Sequence, residues 1–264
     1  MRSPTAGRDV LLAALTFSSG AIDAISFIAL GKVFTAFMTG NVVFLGLRAA
    51  GAPGPEVVTV ASSLAAFAIG VFVATRMVGA SRGKGVWSSQ VTRALTGVVL
   101  AQAAFAAGWI AVSGQPSGAM IDLLVAVSAL AMGIQSGAVL SLGVQGVFTT
   151  AATATMMYLS RELAAESSAA ERARHAGVLL ALLAGATAGG LLLEHARTFA
   201  ALLPLGVTIL VVAIAYNPLG ERDLGDDPES ADLDFGWRSP PARNGATRRR
   251  PVTSTAPERR SGVY

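Results

Sequence analysis

Apolar residues along this chain come in blocks of about twenty separated by short polar or basic stretches, a length that matches the roughly 20 helical residues needed to cross a bilayer. Six blocks qualify, at residues 9–30, 57–79, 93–113, 121–142, 176–195 and 198–216. Arg2 and Arg8 ahead of the first block imitate a signal peptide, but the apolar character continues past Asp23 to Leu30. The block therefore reads as a retained span.

Two further apolar pieces are too short to cross comfortably. Val33 to Ala50 is interrupted by Thr39, Gly40 and Asn41 and carries Arg48 near its end, while Val147 to Ser160 runs into Arg161 and Glu162. A 15-residue helix over Thr35–Ala49 would be only about 22 Å long. The basic residues arbitrate. Arg76, Arg82, Lys84 and Arg93 surround one loop, Arg161, Arg172 and Arg174 lie in a second, an Arg-rich tail follows the last block, and the loop around Gly114–Gly118 has none. If six blocks cross and both short pieces dip in and return, residues 1–8, the two basic loops and the tail 217–264 all face the cytoplasm, and residues 114–120 face outward. A seven-span arrangement, with the first short piece crossing and the N-terminus outside, is the competitor. The tail, with Asp226-Asp227, Pro240-Pro241 and Arg248-Arg249-Arg250 among few apolar residues, is expected to be disordered.

Composition agrees with the blocks. Hydrophobic residues make up 53% of the chain and charged residues only 14%, whereas a soluble domain carries about 25% charged. Residues 217–264 hold 8 Arg and 8 Asp/Glu, which leaves 12 Lys/Arg and 8 Asp/Glu for the first 216. A typical cytosolic enzyme is excluded. Cysteine is absent, so disulfides, thiolate metal sites and cysteine nucleophiles are excluded too. The pI near 10.1 follows from loops and tail, and membrane topology explains it better than nucleic acid does.

The sequence also resembles itself. Val33-Phe34-Thr35 through Leu45 aligns with Val147-Phe148-Thr149 through Leu159, and, further back, Ile22-Asp23-Ala24 aligns with Ile134-Gln135-Ser136. Each unit, 9–113 and 121–216, then reads as span, short broken piece, span, span. Three full crossings is an odd number, so the second copy enters the membrane with the opposite orientation, as in the inverted repeats of many secondary transporters. The expected fold is an all-α polytopic transmembrane bundle: six full spans, two short broken or re-entrant helices, two inverted repeats.

Gly20-Ala21-Ile22-Asp23-Ala24-Ile25-Ser26-Phe27 followed by Phe34-Thr35-Ala36-Phe37-Met38-Thr39-Gly40-Asn41 resembles the YoaK family of bacterial multi-pass membrane proteins, a family of unknown function. The resemblance covers about residues 9–216. It implies a six- or seven-span protein of the bacterial inner membrane and supplies no substrate. In the second half, Gly133-Ile134-Gln135-Ser136 departs from the Gln-Asn pairing such proteins usually show, and Thr153-Ala154-Thr155 lacks the usual glycine.

Few residues are positioned for chemistry. Asp23 lies within the first span, where a charge costs roughly 2.5–3.5 kcal/mol on insertion scales and calls for a partner or a purpose such as proton or cation handling. Packing through hydrogen bonds is the plainer alternative. Gln135, aligned with Asp23, sits in a charge-free run from Leu123 to Ser160 and suits either a ligand or a neighbouring helix. Thr35, Thr39, Gly40 and Asn41, and likewise Thr149, Thr150 and Thr153, place hydroxyl, amide and backbone groups near a short helix start. There they bind an anion or polar ligand or serve as caps and turns. Gly133-x-x-x-Gly137 and Gly185-x-x-x-Gly189 permit close helix contact, more commonly within a bundle than in a homodimer. His175 and His195, at span edges, are expected to be solvated. His-Glu-x-x-His, Gly-x-Ser-x-Gly and a phosphate loop are missing, so no enzyme activity, metal or cofactor is expected. These features favour a transporter or permease for a small polar molecule or ion, its site between the broken helices near the midplane. A non-transporting membrane scaffold or assembly partner is the alternative.

Overall fold

The computed structural model describes residues 4–79, 87–144, 147, 149–150, 152–165 and 168–216. The loop bearing Arg82 and Lys84, Phe148 and Ala151 of the second short piece, and the tail expected to be disordered lie outside the described residues. Among the described residues all regular structure is helical. Six helices are long and apolar enough to cross a membrane: α1 (Pro4–Ala29), α3 (Val57–Val78), α4 (Ser89–Ala111), α5 (Ala119–Leu140), α7 (Ala169–His195) and α8 (Leu202–Tyr216), the last preceded by a 3-10 turn at Arg197–Phe199. The two short pieces form α2 (Met38–Ala49) and α6 (Ala152–Ala164).

Helix boundaries follow local chemistry. Gly31 and Lys32 adopt φ of 85° and 65° and end α1, and Gly143 at φ 66° follows α5. Glycine meets such angles without a Cβ penalty. The hydroxyl of Ser88 caps α4 by accepting from the Val91 N–H. Ser168 and Glu171 close a capping box at the start of α7, satisfying two otherwise orphaned N–H groups.

The bundle is organised around two close helix pairs, α1 with α7 and α3 with α5. In each, a glycine faces the partner's backbone: a Cβ on Gly20 would meet the Leu182 carbonyl and one on Gly185 the Phe17 carbonyl, while Gly133 faces the Phe67 carbonyl and Gly70 the Leu130 carbonyl. Both small-x-x-x-small spacings are thus spent inside the bundle. Each pair runs parallel and is tied near its N-terminal end. Asp9 Oδ2 accepts from Arg174 Nε at 2.8 Å between α1 and α7, and Thr59 donates to Asp122 Oδ1 at 2.6 Å between α3 and α5. Gly31, just past the end of α1, lies beside Thr59 and Ile121, at the starts of α3 and α5. The first pair therefore runs opposite to the second; α4 packs on α5 and α3, α8 packs on α1, and α4 and α8 pack on each other. Pro204 occupies the first turn of α8, where its missing N–H costs nothing.

Candidate functional site

Asp23 lies six residues before the end of α1, about 9 Å along the helix axis. Beyond Gly31 the chain turns back along α1, bringing the backbone of Thr35, Ala36 and Phe37 to the carboxylate. Oδ1 accepts from Thr35 N and Ala36 N, both at 2.8 Å, and Oδ2 accepts from Phe37 N at 3.0 Å. The N-cap position of α2 belongs to Phe37, whose side chain makes no capping bond. The cap comes instead from a residue on another helix, and its negative charge meets the positive end of the α2 dipole. Among the described residues no cationic side chain pairs with Asp23.

Asn41, fully buried, holds the same turn from the other side. Its Oδ1 accepts from Phe34 N at 3.0 Å, and its Nδ2 donates to Phe34 O at 2.7 Å and Ser63 Oγ at 3.1 Å; Ser63 donates to Phe34 O as well. Both peptide groups of Phe34 are thereby satisfied, as a non-helical residue in an apolar medium requires. Thr35 accepts a hydrogen bond from Ser128 of α5 at 3.0 Å. Gly40 packs on the rings of Phe34 and Phe37, and Phe34 stacks on Phe27 at 5.0 Å.

The second short piece makes a looser arrangement. Gln135 Nε2 donates to Ser19 Oγ at 2.9 Å, to Leu15 O at 3.2 Å and, at 3.4 Å, to Thr149 Oγ1, while Ser136 and Thr150 pair at 3.0 Å. The Gln135 Oε1 and Thr155 Oγ1 atoms are buried without a hydrogen-bond partner. Among the described residues no carboxylate joins this cluster. His175, expected at a solvated edge, is instead 2% exposed and faces Glu162 of α6 at 2.8 Å, because α6 folds back over the start of α7. His195 is exposed, as expected.

A cavity of about 370 Å³ opens between α1, α7 and the two short pieces. Its wall includes Asp23 and Ser19, the apolar Ala24, Phe27, Leu182 and Ala186, Phe34, Ala36 and Phe37 from the first broken segment, and Thr150 and Ala152 from the second. A second cavity of about 210 Å³ lies between α3, α5 and the second segment, lined by Phe67, Val71, Ser136, Gly137, Leu140 and Thr150 among others. Of the sequence-predicted residues, Asp23 and Thr150 reach the first cavity, Thr149 and Thr150 the second. Thr35, Asn41 and Gln135 brace the segments from behind. Thr39 and Thr153 are exposed on α2 and α6 and join neither cavity. The sequence reading missed Ser19, Ser63 and Ser128, hydroxyls in apolar helices with no motif to mark them.

The family model described as "Protein of unknown function (DUF1275)" matches residues 11–215. The chain is 37% identical over 160 residues to UPF0700 transmembrane protein YoaK of Bacillus subtilis (strain 168), an alignment covering 59% of this chain and 67% of that protein. No solved structure matches.

Proposed function

We propose a transport function for this chain, which belongs to the DUF1275 family of multi-pass membrane proteins that includes YoaK. In this reading it carries a small solute through a site bounded by two re-entrant segments from inverted repeats. The observation that carries the proposal is the first cavity, whose wall takes residues from both broken segments. Broken helices lining a cavity between two halves are the usual construction of a secondary-transporter site.

The packing register supports the repeat. Moving from Asp9, Phe17 and Gly20 by one fixed interval reaches Asp122, Leu130 and Gly133, and a second fixed interval carries Thr59, Phe67 and Gly70 to Arg174, Leu182 and Gly185. Every one of these residues makes the corresponding contact in its own helix pair. The same intervals carry Asp23, Ala24 and Phe27 of the first cavity to Ser136, Gly137 and Leu140 of the second, and Phe67 and Val71 to Leu182 and Ala186. By this register Asp23 answers to Ser136, one position away from the sequence alignment that paired it with Gln135. Because α1 ends where α3 begins, the segment between them enters and leaves on one side, which favours six crossings over seven.

A scaffold role is the second reading, favoured by the internal hydrogen bonds through which Asp23, Asn41 and Ser63 hold the first broken segment. Access to the cavity separates the two. In proteoliposomes, single cysteines at Ala24 and Ala152 should react with small impermeant thiol reagents added from either side, because a carrier visits both orientations. Reaction from one side only, or from neither, removes the transport reading.

A further inference from the structure

The transport reading leaves open the sign of the solute, since an intramembrane carboxylate suits cations and helix-start N–H groups suit anions. The geometry decides between them. The N–H groups of Thr35, Ala36 and Phe37, which an anion would need, are already taken by Asp23. The other two hydrogen-bonding side chains on the wall are also committed: Ser19 donates to Leu15 O and accepts from Gln135, and Thr150 pairs with Ser136. What remains available is the carboxylate itself. Oδ2 accepts a single N–H, at 3.0 Å, and an ionised carboxylate oxygen has room for more than one donor. The rest of the wall is apolar, formed mainly by Phe27, Phe34, Phe37, Leu182, Ala186 and Ala24. The nearest basic side chain in sequence, Lys32, lies over the Phe27 ring, 5.4 Å from its centroid, and forms no ion pair with Asp23.

We infer that the cavity between α1, α7 and the two short segments takes a small organic cation, an ammonium group on an apolar body, with the ammonium hydrogen-bonded to Asp23 Oδ2 and the body against the phenyl and aliphatic wall. This rests on the transport reading for its physiological sense but concerns binding alone. A buried acceptor with spare capacity, within an apolar cavity large enough for a small organic molecule, selects for a matching donor, and the charge of Asp23 makes a cationic donor the preferred one. A hydrophilic inorganic ion would find one carboxylate and no shell of oxygens. An anion would face the carboxylate with no free donor.

The test uses purified full-length protein in one detergent and three ligands of similar shape: 2-phenylethylammonium, 2-phenylethanol and phenylacetate, titrated calorimetrically at pH 7. The ammonium should bind at least about tenfold more tightly than the alcohol, the equivalent of about 1.4 kcal/mol, and phenylacetate should not bind measurably. Asp23→Asn should abolish the preference for ammonium over alcohol. Because that variant disturbs a cap, Ala186→Leu is measured alongside; it fills the cavity, leaves the cap intact, and should weaken the ammonium at least about tenfold. Equal binding of ammonium and alcohol by the natural protein, or undiminished ammonium binding by Ala186→Leu, overturns the assignment. Liposome flux of the same ammonium, run in parallel, keeps the two readings apart. Binding without flux upholds the cation site and removes carriage, whereas flux of another solute without ammonium binding removes the cation site and leaves carriage standing.

Discussion

At the scale of single residues, the decisive finding is that Asp23 caps a break in the chain from a neighbouring helix. Replacing it with leucine leaves the N–H groups of Thr35, Ala36 and Phe37 without an acceptor, and each buried unsatisfied group costs about 1–3 kcal/mol. Asp23→Asn keeps one carbonyl oxygen, enough for the two donors on Oδ1, but turns an NH2 toward Phe37 N–H. The expected order of detergent melting is natural protein, then Asp23→Asn, then Asp23→Leu, each step resolved by a scanning melt; an asparagine variant as stable as the natural protein would remove the capping role. Asn41→Ala should cost a comparable amount, about 1–3 kcal/mol, because Phe34 N–H loses its acceptor, and the same melt measures it. The motif that contains both residues was legible in the sequence, as was the break it brackets. Its meaning was not. The sequence left the helix start open to a ligand, whereas the chain supplies its own anion from twelve residues upstream, a contact set by how far the segment after Gly31 folds back. The hydroxyls that complete the cluster, Ser63 and Ser128, are equally invisible to a reading of local pattern.

At the scale of helices, hydropathy found all six long elements and both short ones, because a span must be continuously apolar wherever its neighbours do not shield it. It misplaced some ends. α7 begins at Ala169 rather than near residue 176, and α4 at Ser89 rather than 93, since helices run on into polar flanks where Ser168 and Ser88 cap them. Hydropathy also says nothing of which helices touch, and the glycines supply that. At Gly133 and Gly185 an added methyl would land on a facing carbonyl oxygen, so the helices must part. Gly133→Ala and Gly185→Ala should each destabilise the bundle by about 1–3 kcal/mol, the usual cost of overpacking. Gly97→Ala and Gly190→Ala, with nothing within 4 Å of the added atom, should be neutral or mildly stabilising through helix propensity. Unfolding in a graded sodium dodecyl sulfate series measures all four, and equal effects at facing and open positions would contradict the close packing of the two pairs.

At the scale of the molecule, topology turns on whether α2 carries the chain across the bilayer, a question the charge pattern left open between six and seven spans. Twelve residues of helix rise only about 18 Å, too little for a hydrocarbon core of about 30 Å. The packing gives an independent argument, for Gly31, just past the end of α1, lies beside Thr59 near the start of α3. If α2 crossed, those two residues would lie on opposite faces of the membrane. The cysteine-free background makes the test direct: Lys32→Cys and Glu56→Cys, flanking the first short piece, should react with an impermeant maleimide from the same side. Ser117→Cys, in the turn before α5, should react from that side too, because Ile121 also lies against Gly31. Ala170→Cys, at the start of α7, should react only from the other face. Basic residues at Arg161, Arg172 and Arg174 assign that face to the cytoplasm, so in intact cells the first three positions should label and the fourth only after permeabilisation. Labelling of positions 32 and 56 from opposite faces would restore the seven-span arrangement and, with an even number of crossings in the first half, would end the case for inverted repeats.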